Sequence, residues 1–290
     1  MNQLIPLSES AQNLQWQRGP LPASDYQALI EAVHYLENPG LAARLSHYIG
    51  MPVEKALASL PDNLVKPVTQ ITQDALNKAL NAALLTLPKE RNRKSTPRLI
   101  HNLLAGTSGA LGGSFGIASL AVELPVSATL MLRAIAATAH EQGENINEPD
   151  SKLACLEVFA FGGPADKDDN SEIGYYAVRA FLAKTMEESA KHLMKKGLAK
   201  EGAPALVRFI NAVSQRFSVQ VSQKFALQAL PAVGAFSGAT VNILFMSHFQ
   251  DMAYAHFTIR RLERAYGKER VRSLYEGVTA RQEELSNGKA

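Results

Sequence analysis

LLAGTSGALGGSFGIASLAV, residues 103–122, is the stretch around which the rest of the chain falls into place. It runs on into ELPVSATLMLRAIAATAHEQG, ending at Gly143, and no Lys, Arg, Asp or Glu occurs between Arg98 and Glu123. Glycines at 106, 109, 112, 113 and 116 recur every three or four residues. On a helix that spacing lines small residues along one face, where another backbone can approach closely. Each glycine costs a helix roughly 1 kcal/mol relative to alanine, so tight packing has to offset several of them. A second neutral stretch, Phe225 to Ser247 (FALQALPAVGAFSGATVNILFMS), carries Gly234 and Gly238 in a G-x-x-x-G spacing. The expectation is two Gly-rich apolar helices packed through Gly109, Gly113, Gly234 and Gly238, with polar residues at their C-terminal edges.

Outward from there the periodicity is helical throughout. Ser24 and Gln27 have capping-box spacing ahead of a helix bearing Leu29, Ile30, Val33 and Leu36 on one face. LAARLSHYIG reads as a short helix, Pro52 opens another, and residues 61–87 read as a long amphipathic helix with a break at Pro67. KERNRKSTP, 89–97, is a basic linker. Pro149 precedes DSKLACLEVFAFGG, a helix with a Gly-Gly stop. PADKDDNSE is an acidic loop without the glycine and distal glutamate of a calcium-binding EF-hand. Three further helical segments follow, and hairpin signals are absent. The fold class is all-α, a multi-helix bundle. The expected organisation is an arm over 1–23, a helical extension and linker over 24–97, a helical core over 98–278 and a tail over 279–290. Both halves pair a Gly-rich apolar helix with an Arg-bearing amphipathic one, a loose internal symmetry.

The chain is 290 residues long with a formal charge of +3, too small an excess to argue for nucleic acid. Its lone cysteine, Cys155, suits a reducing compartment and a place in the core, and MNQLIPLSES predicts no signal peptide. Both neutral stretches are long enough to span a bilayer, for which about 20 residues suffice, although their Gly, Ser, Thr and Asn content makes weak spans. G-x-x-x-x-G-K-[ST] and G-x-S-x-G are missing, and GALGGSFG does not follow a strand, which excludes a dinucleotide loop.

Several strings together resemble the EcsC family of bacterial proteins: ARLSHYIGMPVEKAL (43–57), ELPVSATLMLRAIA (123–136), LACLEVFAFGG (153–163), YYAVR (175–179), LQALPAVGAFSGATVNILF (227–245) and the run from His248 to Gly267. Glu123, Pro125, Arg133, Gly234, Gly238 and Asn242 are the positions most typical of the family. That family is named after a protein encoded beside an ATP-binding-cassette transporter and has no activity assigned to it. The resemblance therefore implies a bacterial cytoplasmic protein, peripheral at the inner membrane face, with a membrane or transporter partner. It supplies no catalytic residues.

The residues themselves suggest a carboxylate and histidine pocket. Glu123, at the edge of the neutral run, and Glu157, among apolar neighbours, are candidate acid–base groups. Each could equally be the partner of Arg133 or Arg179. Asn242 is a candidate ligand contact or a bridge between helices. His248 and Asp251 have i, i+3 spacing, and with His256 they are candidate ligands for a divalent metal. His248 and His256, eight residues apart, sit roughly 80° and 12 Å from each other on a helix, which is wide for one ion. Three functions follow: a non-enzymatic accessory protein, a metal-binding protein or metal-dependent hydrolase, and a lipid-inserting Gly-rich hairpin. The sequence fixes no oligomeric state.

Overall fold

The computed structural model describes residues 20–37, 40–50, 52–58, 64–86, 116–163, 174–196, 204–228 and 238–287. Gly109, Gly113 and Gly234, the arm up to residue 19, the basic linker and the acidic loop lie outside them. Ten α-helices and one 3₁₀ turn are formed by the described residues, without a strand. In chain order they are α1 (Ala23–Glu37), α2 (Leu41–Ile49), α3 (Val53–Ala58), α4 (Val65–Thr86), α5 (Gly116–Glu141), α6 (Pro149–Glu157) with the 3₁₀ turn Val158–Ala160, α7 (Tyr175–Lys196), α8 (Pro204–Gln228), α9 (Gly238–Tyr266) and α10 (Lys268–Asn287).

Two helices meet most of the others. α8 packs against α2, α3, α4, α6, α7, α9 and the 3₁₀ turn, and α9 packs against α1, α2, α5, α8, α10 and the 3₁₀ turn. Its sequence explains why: Phe249, Met252, Ala253, Ala255, Phe257, Ile259 and Leu262 are all buried, so α9 has apolar side chains on nearly every face. Phe159 of the 3₁₀ turn, Phe217 of α8 and Phe249 of α9 form the aromatic centre, with ring centroids 4.8–5.3 Å apart. α1 lays Leu29, Ala32, Val33 and Leu36 onto α9, and α4 runs beside α5. The N-terminal helices thus share the core with the rest of the chain.

Local chemistry sets the helix ends. The Pro22 carbonyl accepts the N–H groups of Asp25 and Tyr26 at 3.0 Å, so the main chain caps α1 and Ser24 lies inside its first turn. The cap expected at Ser24 is corrected accordingly. Pro67 sits in the first turn of α4, where its missing N–H would have had no partner, and does not break the helix. Pro125 is different, lying well inside α5, and Ser127 and Thr129 donate their hydroxyls to the carbonyls of Glu123 and of Pro125 itself.

α9 and α10 meet at Gly267, whose φ of +89° lets its N–H close on the Glu263 carbonyl at 3.0 Å. A Cβ there would meet nothing within 4 Å, so only the backbone conformation penalises a side chain. Gly267→Ala should therefore destabilise by about 1–2 kcal/mol in urea unfolding, with no change in cooperativity. A neutral result would mean that the junction relaxes out of the left-handed region.

Candidate functional site

Two separate groups of buried polar side chains interrupt this core. The larger lies where the first turn of α7 meets α9. Tyr175 and Arg179 are four residues apart on α7, and His256 and Glu263 seven apart on α9, so each pair shares one helix face. The Tyr175 hydroxyl is 2.9 Å from His256 Nδ1. On the other side of the imidazole, Nε2 lies 3.6 Å from Glu157 Oε2 at the end of α6, with the two side chains 0% and 3% exposed. Arg179 grips Glu263 with two bonds, 2.6 and 2.9 Å, and the Tyr176 hydroxyl donates to the same carboxylate at 3.2 Å. The Arg179 guanidinium also sits over the Tyr175 and Tyr176 rings. Glu37 of α1 accepts the Tyr275 hydroxyl at 2.5 Å and the Tyr175 N–H at 3.2 Å. Five helices, α1, α6, α7, α9 and α10, are thereby pinned through one aromatic and ionic cluster.

Its electrostatics follow from burial. Desolvation pushes the Glu157 carboxyl up to about 7, against the opposing pull of Arg179 and Arg260. Desolvation also holds His256 well below its usual range, with Arg260 and Arg179 adding to the effect. At neutral pH the imidazole is uncharged. If Tyr175, held as a neutral phenol by burial, donates to Nδ1, the ring proton sits on Nε2 and faces Glu157. The cluster sets the Glu157 carboxyl and the His256 Nε2 face to face at 3.6 Å, without a hydrogen bond between them.

The second group lies under the neutral end of α5. Lys224 of α8 pairs with Glu123 at 2.5 Å, their side chains 1% and 8% exposed, and the Lys224 ammonium lies 5.0 Å from the centre of the Phe245 ring. Beside it, Gln228 donates to Asn242 at 3.3 Å, so Asn242 bridges α8 and α9. Apart from both groups, beyond the other end of α5, a further buried carboxylate, Glu144, accepts from Arg260, Arg264 and Ser151. Burial alone would raise it, but Arg260 chiefly, with Ser151 and Arg264, holds it at about 2.

The sequence-based candidates are therefore distributed, not gathered. Glu123 meets Lys224, in place of the expected Arg133 or Arg179. Arg179 belongs to Glu263, and Arg133 is half-buried on α5. Asp251 leaves its histidine neighbours and pairs with Arg44 at 2.6 Å. His248 lies buried against the turn after Phe161, driven down to about 3 by burial, with Arg44 adding to the shift. A Cβ on Gly162 (φ +70°) would overlap that imidazole, so the Gly-Gly stop also makes room for His248. Among the described residues no three His, Cys, Asp or Glu side chains come together to hold a metal, which corrects the expectation for His248, Asp251 and His256. Cys155 is a buried core residue whose thiol is pushed up to about 12 by burial and the Glu144 charge.

Residues that sequence reasoning missed are Lys224, Glu37, Tyr175, Tyr176, Glu263 and Tyr275. Lys224 had left a signal, because Phe217, Val221 and Lys224 fall at i, i+4 and i+7 on the buried face of α8.

No curated protein and no solved structure matches the chain. The EcsC protein family matches it from residue 31, inside α1, to residue 262, near the end of α9, and so takes in every helix of both polar groups except α10. With most of its length matched in one continuous span, the chain belongs to the EcsC family.

Proposed function

We propose that this EcsC-family chain is a non-enzymatic accessory protein working at the cytoplasmic face of the inner membrane, with a transporter of the ATP-binding-cassette type as the partner class. The observation that carries this reading is α5. Leu120–Glu141 is long and apolar enough to cross a membrane by length and composition, yet only 44% of its most apolar window is buried. A core helix of a self-sufficient soluble protein has less reason to leave so much apolar surface uncovered. The pinned carboxylates support the same reading, since Glu123, Glu144 and Glu263 are each engaged by a cation of this chain.

Cell fractionation tests it. The full-length protein should sediment with bacterial membranes and be released by alkaline carbonate, as a peripheral protein is. Recovery in the soluble fraction at low salt would overturn the reading. Retention through carbonate would favour the lipid-inserting hairpin.

A second reading, an acid–base enzyme, has one observation in its favour, the carboxyl of Glu157 held near 7 beside His256. A thermal-shift screen of small-molecule ligands, with and without Glu157→Gln, separates it from the first: a stabilising ligand whose effect the substitution abolishes favours the enzyme.

A further inference from the structure

We propose that the outer face of α5 at Val122 and Val126, together with Ile243 of α9, is a docking surface for an anionic phospholipid bilayer; this deepens the peripheral-membrane reading above and rests on it. Val122 is 73% exposed, Val126 54% and Ile243 47%. Val122 and Val126 are one turn apart and share a face. On the opposite face Leu120, Leu124, Ala128 and Met131 are at most 1% exposed. α5 is thus apolar on both sides while the bundle uses only one of them.

The three residues lie at one end of the bundle. Glu123, next to Val122, bonds Lys224, and Lys224 lies over Phe245, two residues from Ile243. Gln228 to Asn242 ties the same helices again. Between Gly116 and Leu132 the sole titratable residue of α5 is Glu123, and Lys224 neutralises it from inside. The end therefore offers apolar groups without an exposed charge of α5 among them.

What distinguishes a bilayer from other occupants is the chain that enters here. The residues leading into α5 at Gly116 and into α9 at Gly238 carry no Lys, Arg, Asp or Glu, from 99 to 115 and from 229 to 237. Directly before the first run stand Lys89, Arg91, Arg93, Lys94 and Arg98, against the single acid Glu90. An apolar surface with a basic segment beside it in the chain matches a layer that is apolar inside and anionic at its rim. A protein partner would more often present its own aromatic and arginine anchors to such a face.

Flotation with vesicles tests the proposal. Full-length protein is mixed with phosphatidylcholine vesicles containing about a quarter phosphatidylglycerol, an anionic fraction sufficient to attract basic segments, and with vesicles of phosphatidylcholine alone. The wild type should float with the anionic vesicles, less so in high salt. Val122→Asp/Val126→Asp should need at least about tenfold more lipid for half-maximal flotation, the loss expected when charge replaces apolar contact. Val122→Ser/Val126→Ser should lie between them. Phe181→Asp, at an equally exposed apolar residue of α7, should float as the wild type does. Melting temperatures should not change.

Full flotation of both double variants overturns the surface and leaves the peripheral reading standing. Loss of flotation accompanied by a lower melting temperature also overturns it, because the valines would then be covered by this chain's own residues. So does a concentration-dependent dimer that both double variants abolish while they still float. A wild type that sediments with cell membranes but floats on no vesicle points to a protein receptor and sinks the lipid surface alone. A wild type that is soluble in cells and floats on nothing sinks both.

Discussion

Lys224→Met should destabilise the protein by about 3–5 kcal/mol, the usual consequence of removing one partner from a buried ion pair. Methionine matches lysine in length and would itself sit well beside Phe217, Val221 and Phe245. The loss comes from Glu123, whose carboxylate would stay 8% exposed with its cation gone. Urea unfolding of Lys224→Met against wild type reads this directly. The double variant Lys224→Met/Glu123→Leu should recover most of the loss, since it removes both charges and leaves an apolar contact in their place. Glu141→Gln, on the exposed end of the same helix, should change stability by less than about 0.5 kcal/mol. If Lys224→Met costs no more than Glu141→Gln does, water reaches Glu123 and the burial of the pair described above is wrong.

Why this pair was only half legible is a matter of what periodicity reports. Spacing tells which face of a helix turns inward, so the helical segments from Tyr175 onward, the Gly-Gly stop at 162–163 and the burial of Cys155 could all be read from the sequence. It does not tell which helix faces it. Glu123 and Lys224 are 101 residues apart, Arg179 and Glu263 are 84. Nothing within a few turns of either residue names its partner, so sequence reasoning chose partners from the most conspicuous cations. Weight given to carboxylates and histidines also hid the phenols. Tyr175, Tyr176 and Tyr275 supply the hydrogen bonds that hold His256, Glu263 and Glu37, and a tyrosine in an apolar helix looks like core. Asp251 shows the opposite error: an attractive i, i+3 relation to His248 meant nothing once α2 brought Arg44 alongside. Helical periodicity along the chain carried the fold class, while most of the neutral stretch over 103–122 lies outside the described residues; the described bundle converges on α8 and α9, and α9 interleaves its apolar residues with His248, Asp251 and His256.

Glu157→Gln should make the protein more stable at pH 8 and leave it unchanged at pH 4. The carboxyl sits near 7 in the folded protein against an ordinary 4.5. Below 4.5 it is protonated in the folded and unfolded chain alike and contributes no pH dependence. Between 4.5 and 7 the unfolded chain gives up the proton while the folded one keeps it, so the folded state binds more protons and stability falls as pH rises. Above 7 the carboxylate is ionised in both, and the folded state carries a constant penalty of roughly 3 kcal/mol, from about 1.4 kcal/mol per pH unit. Glutamine keeps the shape and cannot ionise, so the gain over wild type should grow through that window and level off above it. The surrounding charges do not change this sign. Arg179 and Arg260 favour the carboxylate, Asp150 and Glu263 oppose it, and burial outweighs them. His256 adds no cation, because burial keeps it neutral throughout the window. Chemical unfolding at half-unit steps from pH 4 to 8 reads the difference curve. A variant that is less stable than wild type at pH 8 would mean that Glu157 is ionised in the fold against a protonated His256. The pair would then be a buried salt bridge, not a carboxylic acid beside a neutral imidazole.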